Sequence, residues 1–121
     1  MEVTMRKILL LLFVAAAAAS AKGIISTVDA PDTNITGLAW GNGSLWAIDA
    51  VTDYVYEINP ETGDVISSFY FDHVTTIVPT GLAYSESQNT VYCGGWYGTT
   101  GYVFKYTPTG TYQGMVDMCG G

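Results

Sequence analysis

Three features of this sequence predict an all-β fold: two four-stranded antiparallel propeller blades, with one extra outer strand ahead of them, forming part of a larger ring. Thr36-Gly37-Leu38-Ala39-Trp40 returns as Thr80-Gly81-Leu82-Ala83-Tyr84, a shift of 44 residues. Tyr54-Val55-Tyr56-Glu57-Ile58-Asn59-Pro60 returns as Tyr102-Val103-Phe104-Lys105-Tyr106-Thr107-Pro108, a shift of 48. The difference falls in connecting segments, where insertions are cheap. A repeat of this length made of short β-rich runs is the pattern of propeller blades, typically ~40–50 residues each. Beyond residue 21 no segment shows helical periodicity of useful length. Its apolar runs are rich in Val, Ile, Tyr, Phe and Trp, which suit a pleated, half-buried surface.

The strands can be placed in order. Ile24-Ile25-Ser26-Thr27-Val28 resembles Val65-Ile66-Ser67-Ser68-Phe69, so residues 24–28 are predicted as a stray outer strand of the fourth-strand type. In the first blade, residues 36–71, Gly37 to Trp40 is strand one, and Asn42-Gly43 is a tight turn of the kind that takes positive φ. Leu45 to Asp49 is strand two, Tyr54 to Ile58 strand three and Val65 to Phe71 strand four, with Asn59-Pro60-Glu61-Thr62-Gly63 as the last turn. The second blade, residues 80–118, repeats the plan with Gly81 to Tyr84, Val91 to Gly94, Tyr102 to Tyr106 and Tyr112 to Met118. Its turns are Glu86-Ser87-Gln88-Asn89 and Pro108-Thr109-Gly110. Strand one is the exception to bulk, with Gly37, Ala39, Gly81 and Ala83. The first strand of a blade lines a crowded channel, so small residues there serve close packing rather than phosphate binding.

Residues 1–21 read as a cleaved signal peptide. Arg6 and Lys7 form a basic start, Ile8 to Ala19 an apolar stretch, and Ala19-Ser20-Ala21 a small-x-small cleavage site. The apolar stretch is shorter than the ~20 residues a membrane span needs. The expected product, residues 22–121, is secreted, extracellular or periplasmic, with no membrane partner after cleavage. The whole chain carries a formal charge of −7, and beyond residue 21 only Lys22 and Lys105 are basic. Such a surface repels phosphate backbones and anionic lipid, which excludes nucleic-acid binding.

Cys93 and Cys119 would meet an oxidising compartment. Their strands are two spacings apart, ~10 Å, beyond the reach of a disulfide unless a loop folds back. Free or intermolecular thiols are therefore expected. His73 is the one histidine, and Asp72 beside it on an extended segment points away, so a solvated loop residue is expected rather than a triad.

At Leu45-Trp46-Ala47-Ile48-Asp49 and Val55-Tyr56-Glu57-Ile58-Asn59-Pro60-Glu61-Thr62-Gly63 the chain resembles extracellular bacterial and archaeal β-propeller repeats of the NHL, YVTN and quinoprotein-like group. The resemblance implies fold more than function, since such propellers host binding, hydrolysis, lyase and scaffold roles. Gluconolactonase-like propellers would place an acidic metal ligand near strand one. Thr36-Gly37-Leu38 and Thr80-Gly81-Leu82 carry no carboxylate there, so no metal is expected. Glutamine cyclotransferases are similar at Gly95-Trp96-Tyr97-Gly98, with a catalytic carboxylate expected on strand two, where this chain has Cys93 and, at the strand's end, Asp49.

Propeller ligands mostly meet the face formed by the two-to-three and four-to-one connections. Trp96 and Tyr97, in a glycine-rich stretch, offer flat surface for a carbohydrate or peptide. Asp49 and Asp53, in the equivalent connection of the neighbouring blade, would add hydrogen-bond acceptors, but two carboxylates are too few for a hard cation. These four are the candidate ligand-binding residues; no catalytic residue and no cofactor is expected. Two blades and a spare strand cannot close a ring of ~4–8 blades. Further blades must come from the same chain, if this sequence is a fragment, or from a homo-oligomer such as a trimer. The functional expectation is a secreted propeller repeat module acting as a binding or scaffold surface. The alternative is a fragment of a propeller enzyme, a hydrolase or glutamine cyclotransferase-like protein, whose catalytic residues lie outside this chain.

Overall fold

The computed structural model describes residues 23, 26–71 and 77–116, and within them the chain is all-β. Eight strands form two four-stranded antiparallel sheets. The first holds β1 (Ile35–Gly41), β2 (Ser44–Asp49), β3 (Tyr54–Ile58) and β4 (Val65–Tyr70). The second holds β5 (Val78–Ser85), β6 (Thr90–Tyr97), β7 (Thr100–Tyr106) and β8 (Tyr112–Met115). Each sheet runs in sequence order, so every strand is laddered to its chain neighbour. These are the two blades.

The turns explain why the chain reverses where it does. Asn42 and Gly43 both take positive φ, 53° and 71°, the requirement of a two-residue hairpin turn. After β3, Asn59 Oδ1 accepts from the amides of Glu61 and Thr62, and the Gly63 amide donates to the Asn59 carbonyl at 2.8 Å. After β7, Thr107 holds the same position, its Oγ1 accepting from the Thr111 amide while Gly110 donates to its carbonyl. The repeat extends to irregularities. Ladder shifts occur between Ile35 and Gly37 and between Pro79 and Gly81, and again at Glu57/Ile58 and Lys105/Tyr106.

Between the sheets lies the core. Trp46, Ile48, Val55 and Phe69 of the first sheet meet Val91, Cys93, Phe104 and Tyr106 of the second, all buried. The Trp46 indole stacks on Tyr84 with centroids 5.4 Å apart and donates Nε1 to the Gly41 carbonyl at 3.0 Å. Small residues on β1 are what permit this approach. A Cβ at Gly41 would stand 2.1 Å from the Tyr84 ring, and one at Gly37 would stand 3.1 Å from the Gly81 Cα of the other sheet. Phe71, just past β4, is buried against Phe104 and Tyr106 of the second sheet.

Some boundaries differ from expectation. β6 continues to Tyr97 and β7 begins at Thr100, so Gly94 to Gly101 is a strand-turn-strand rather than an open loop. The glycines stay extended because β6 has a ladder partner on each side: Gly95 pairs with Pro79 and with Tyr102. Ile24 and Ile25 of the expected outer strand lie outside the described residues, as do residues 1–21, Asp72, His73, Met118 and Cys119. Ser26 to Val28 are not laddered into a sheet, but Val28 sits on Gly63, 3.1 Å from where its Cβ would be. Phe69 sits on Gly110 in the same way.

Cys93 is a free thiol deep between the sheets, and burial pushes its pKa up to about 12. The thiolate that would attack a disulfide or an alkylating reagent is thereby suppressed. Maleimide labelling mapped by mass spectrometry is expected to miss Cys93 in the native protein and to modify it fully in denaturant. Rapid native labelling of Cys93 would contradict this burial.

Candidate functional site

The two-to-three connections open at one end of the pair of sheets. β1 and β5 both start there, and Thr36 Oγ1 crosses between sheets to donate to the Pro79 carbonyl at 3.0 Å. Asp49, opposite Ile35, and Trp96, opposite Val78, therefore lie at the same end on neighbouring blades.

Asp49 is fully buried. Its Oδ1 accepts from the amides of Val51 and Thr52 at 2.8 and 2.7 Å, and Oδ2 accepts from the Asn34 amide at 3.0 Å. Burial alone would raise its pKa, but these donors together outweigh burial and hold the carboxyl below its ordinary value. A carboxylate so engaged organises the connection rather than facing a ligand. Asp53, half-buried, closes the same turn with φ 60°, donating its amide to the Asp49 carbonyl at 3.1 Å and accepting from the Phe71 amide at 2.7 Å. Burial first, and then the Asp49 charge, raise the Asp53 carboxyl.

Three residues that sequence reasoning did not single out complete this corner. Asp32 Oδ2 accepts from Thr52 Oγ1 at 3.2 Å and from the Tyr56 hydroxyl at 3.3 Å. Asn34 ties the connection into β1 to Asp49. Tyr56 is raised in pKa, chiefly by burial, with the charges of Asp32 and Asp49 adding to it. The available signal was an acid and an amide in the turn-rich run Pro31-Asp32-Thr33-Asn34 just before strand one. Among the described residues, no three His, Cys, Asp or Glu side chains converge into a group that could hold a metal.

Trp96 and Tyr97 are both exposed, 49% and 57%. They end β6, before a turn in which Gly98 takes positive φ of 61°, where a hairpin favours glycine. Because neighbours on a strand point to opposite faces, the two rings do not form one platform. Tyr97 shares the parity of Cys93, toward the first sheet, whereas Trp96 shares that of Tyr92, on the face turned away from it. Trp96→Ala is expected to change the unfolding free energy by less than about 0.5 kcal/mol, measured by chemical denaturation. A loss of several kcal/mol would show the indole to be a packing residue.

No family model matches the chain, and no curated protein matches it. The fold is similar to that of a solved luciferin-regenerating enzyme, with a TM-score of 0.52 and 19% identity over 76% of this chain. The matched region spans 31% of the enzyme, so this chain matches less than a third of it.

Proposed function

We propose that this chain is a secreted β-propeller repeat module, of the extracellular NHL, YVTN and quinoprotein-like kind, whose two-to-three end binds carbohydrate or peptide. The supporting observation is the half-exposed indole of Trp96, held on a laddered strand beside a glycine turn. A flat apolar face with a polar N–H edge suits sugar rings and peptide planes. Holding it on a strand lowers the ordering cost of binding. The acids Asp32, Asp49 and Asp53 shape the neighbouring corner, with Asp53 as its half-buried carboxylate.

The test is tryptophan fluorescence and calorimetric titration with oligosaccharide and peptide panels. Trp96→Ala is expected to abolish binding with the melting temperature unchanged, while Tyr97→Ala has a smaller effect. Binding retained by Trp96→Ala would sink the assignment. The second reading, part of a propeller hydrolase or glutamine cyclotransferase-like enzyme, draws on the fold likeness to an enzyme of which this chain matches 31%. Turnover of ester or amino-terminal glutamine substrates by a protein carrying further blades would favour it.

A further inference from the structure

The internal repeat relates each residue of the two open faces to a residue of the buried contact between the sheets. Trp46 pairs with Ala39 on one side and Glu57 on the other; Tyr92 pairs with Ala83 and Lys105 in the same manner. Tyr92 thus holds on the outer face of the second sheet the position that Trp46 holds on the inner face of the first. Trp96, on that same face, answers to Ala50, which lies past the end of β2 and outside the buried core, so its indole stays at the rim. By the strand-one motif, Leu38 and Trp40 hold the positions of Leu82 and Tyr84. Leu82 and Tyr84 pack into the core, whereas Leu38 and Trp40 are 62% and 61% exposed. By position, the two open faces repeat the two halves of the buried contact between the sheets.

We propose that these faces dock on each other between copies of this chain, head to tail, with Tyr92 of one copy facing Trp40 of the next at the positions that Trp46 and Tyr84 hold within a copy. The occupant follows from the molecule's own interface. The partner of Trp40 must be a sheet with small residues on its first strand and a large aromatic on its second, and the outer face of β5–β7 supplies Gly81, Ala83 and Tyr92. Ser85 stands there at the position of Gly41, so the docked sheets stand farther apart than the pair within a copy. The charges fit as well. Glu57 stands near Tyr84 inside a copy, and its counterpart Lys105 would stand near Trp40 between copies, where an ammonium over an indole is favourable. A hollow of about 190 Å³ on the first sheet, lined by Leu38, Leu45 and Ala47 beneath Val28 and Pro31, is where the arriving sheet seats. A head-to-tail contact closes into a ring when its rotation allows. This two-sheet unit spans 31% of the solved chain that shares its fold, so three copies match that chain's length and give six blades. The docked β8 claims the outermost position now filled by Ser26–Val28, which yields to it: Val28 covers Gly63 as Phe69 covers Gly110.

Sedimentation velocity and light scattering on the purified chain test this. The wild type is expected at three times the monomer mass. Trp40→Arg and Tyr92→Arg, each with unchanged circular dichroism, are expected as monomers, with association weakened at least tenfold. Mixing the two variants restores one intact contact, Tyr92 of the first on Trp40 of the second, and is expected to give dimers. Val28→Gly, which loosens the segment that must yield, is expected to raise the trimer fraction at a given concentration. If Trp40→Arg fails to fold, Leu38→Lys on the same face replaces it; if Tyr92→Arg fails, Lys105→Glu, beside Tyr92 on the other face, replaces that one. A monomeric wild type, arginine variants that still form trimers, or a mixture that stays monomeric would each overturn the proposal.

Discussion

Trp46→Ala is expected to lower the unfolding free energy by about 3–5 kcal/mol, the cost of removing a large aromatic from a core. The indole is 1% exposed, stacks on Tyr84 of the opposite sheet and donates to the Gly41 carbonyl. Its loss opens a void between sheets that β1 cannot fill, because β1 offers only Gly37, Ala39 and Gly41 along the contact. The buried Gly41 carbonyl loses its indole donor at the same time. Denaturant unfolding monitored by circular dichroism measures the effect. A loss under about 1 kcal/mol would mean that the sheets are held together elsewhere, chiefly through Phe71, which packs on Phe104 and Tyr106.

Asp49→Ala is the second large effect, at about 2–4 kcal/mol. It leaves the amides of Asn34, Val51 and Thr52 without their acceptor. These residues are exposed and their bonds to Asp49 part-buried, so water replaces part of what is lost and each bond contributes about 0.5–1.5 kcal/mol. Asp49→Asn keeps the size but offers one acceptor oxygen, so it should fall between wild type and Ala. The pH dependence has a definite sign. The folded pKa of Asp49 lies below its ordinary value of 3.8, so its contribution is complete above 3.8 and is lost as pH falls through the lower folded value. Asp53 runs the other way. Its folded pKa lies above 3.8, so the contribution it makes is present below 3.8 and lost as pH rises through the folded value. Stability curves of wild type and Asp49→Asn should therefore diverge above pH 3.8 and converge in stronger acid. Parallel curves would remove Asp49 from the acid transition.

Most of the fold was legible because strands and turns write themselves locally. The β3 boundaries follow from Tyr54-Val55-Tyr56-Glu57-Ile58 between turn residues, and the Asn42-Gly43 turn from two residues tolerant of positive φ. What the sequence could not show was pairing at a distance. Val91 to Gly94 reads as a short strand before a glycine-rich loop, yet ladder partners on both sides carry β6 on to Tyr97. That extension separates Trp96 from Tyr97, because a loop can gather adjacent rings whereas a strand divides them between its faces. Asp49 was placed correctly at the end of strand two, but an Asp there looks the same whether it faces solvent or three backbone amides. Its bond to Asn34 spans 15 residues and leaves no local trace. The small residues of strand one were readable as packing residues because the same Gly-Leu-Ala run occurs twice.

Strand order carries a consequence for how the chain comes to its fold. In both sheets every strand is hydrogen-bonded to its neighbour in sequence, so each blade can assemble by zipping successive hairpins, without waiting for distant segments. Hairpins form in microseconds, whereas docking of separate units is slower. The first blade can thus be complete while the second is still being synthesised, leaving Trp46, Val55 and Phe69 briefly bare to solvent. The late event is the meeting of the sheets, and residues that act only there should change the rate of unfolding more than the rate of folding.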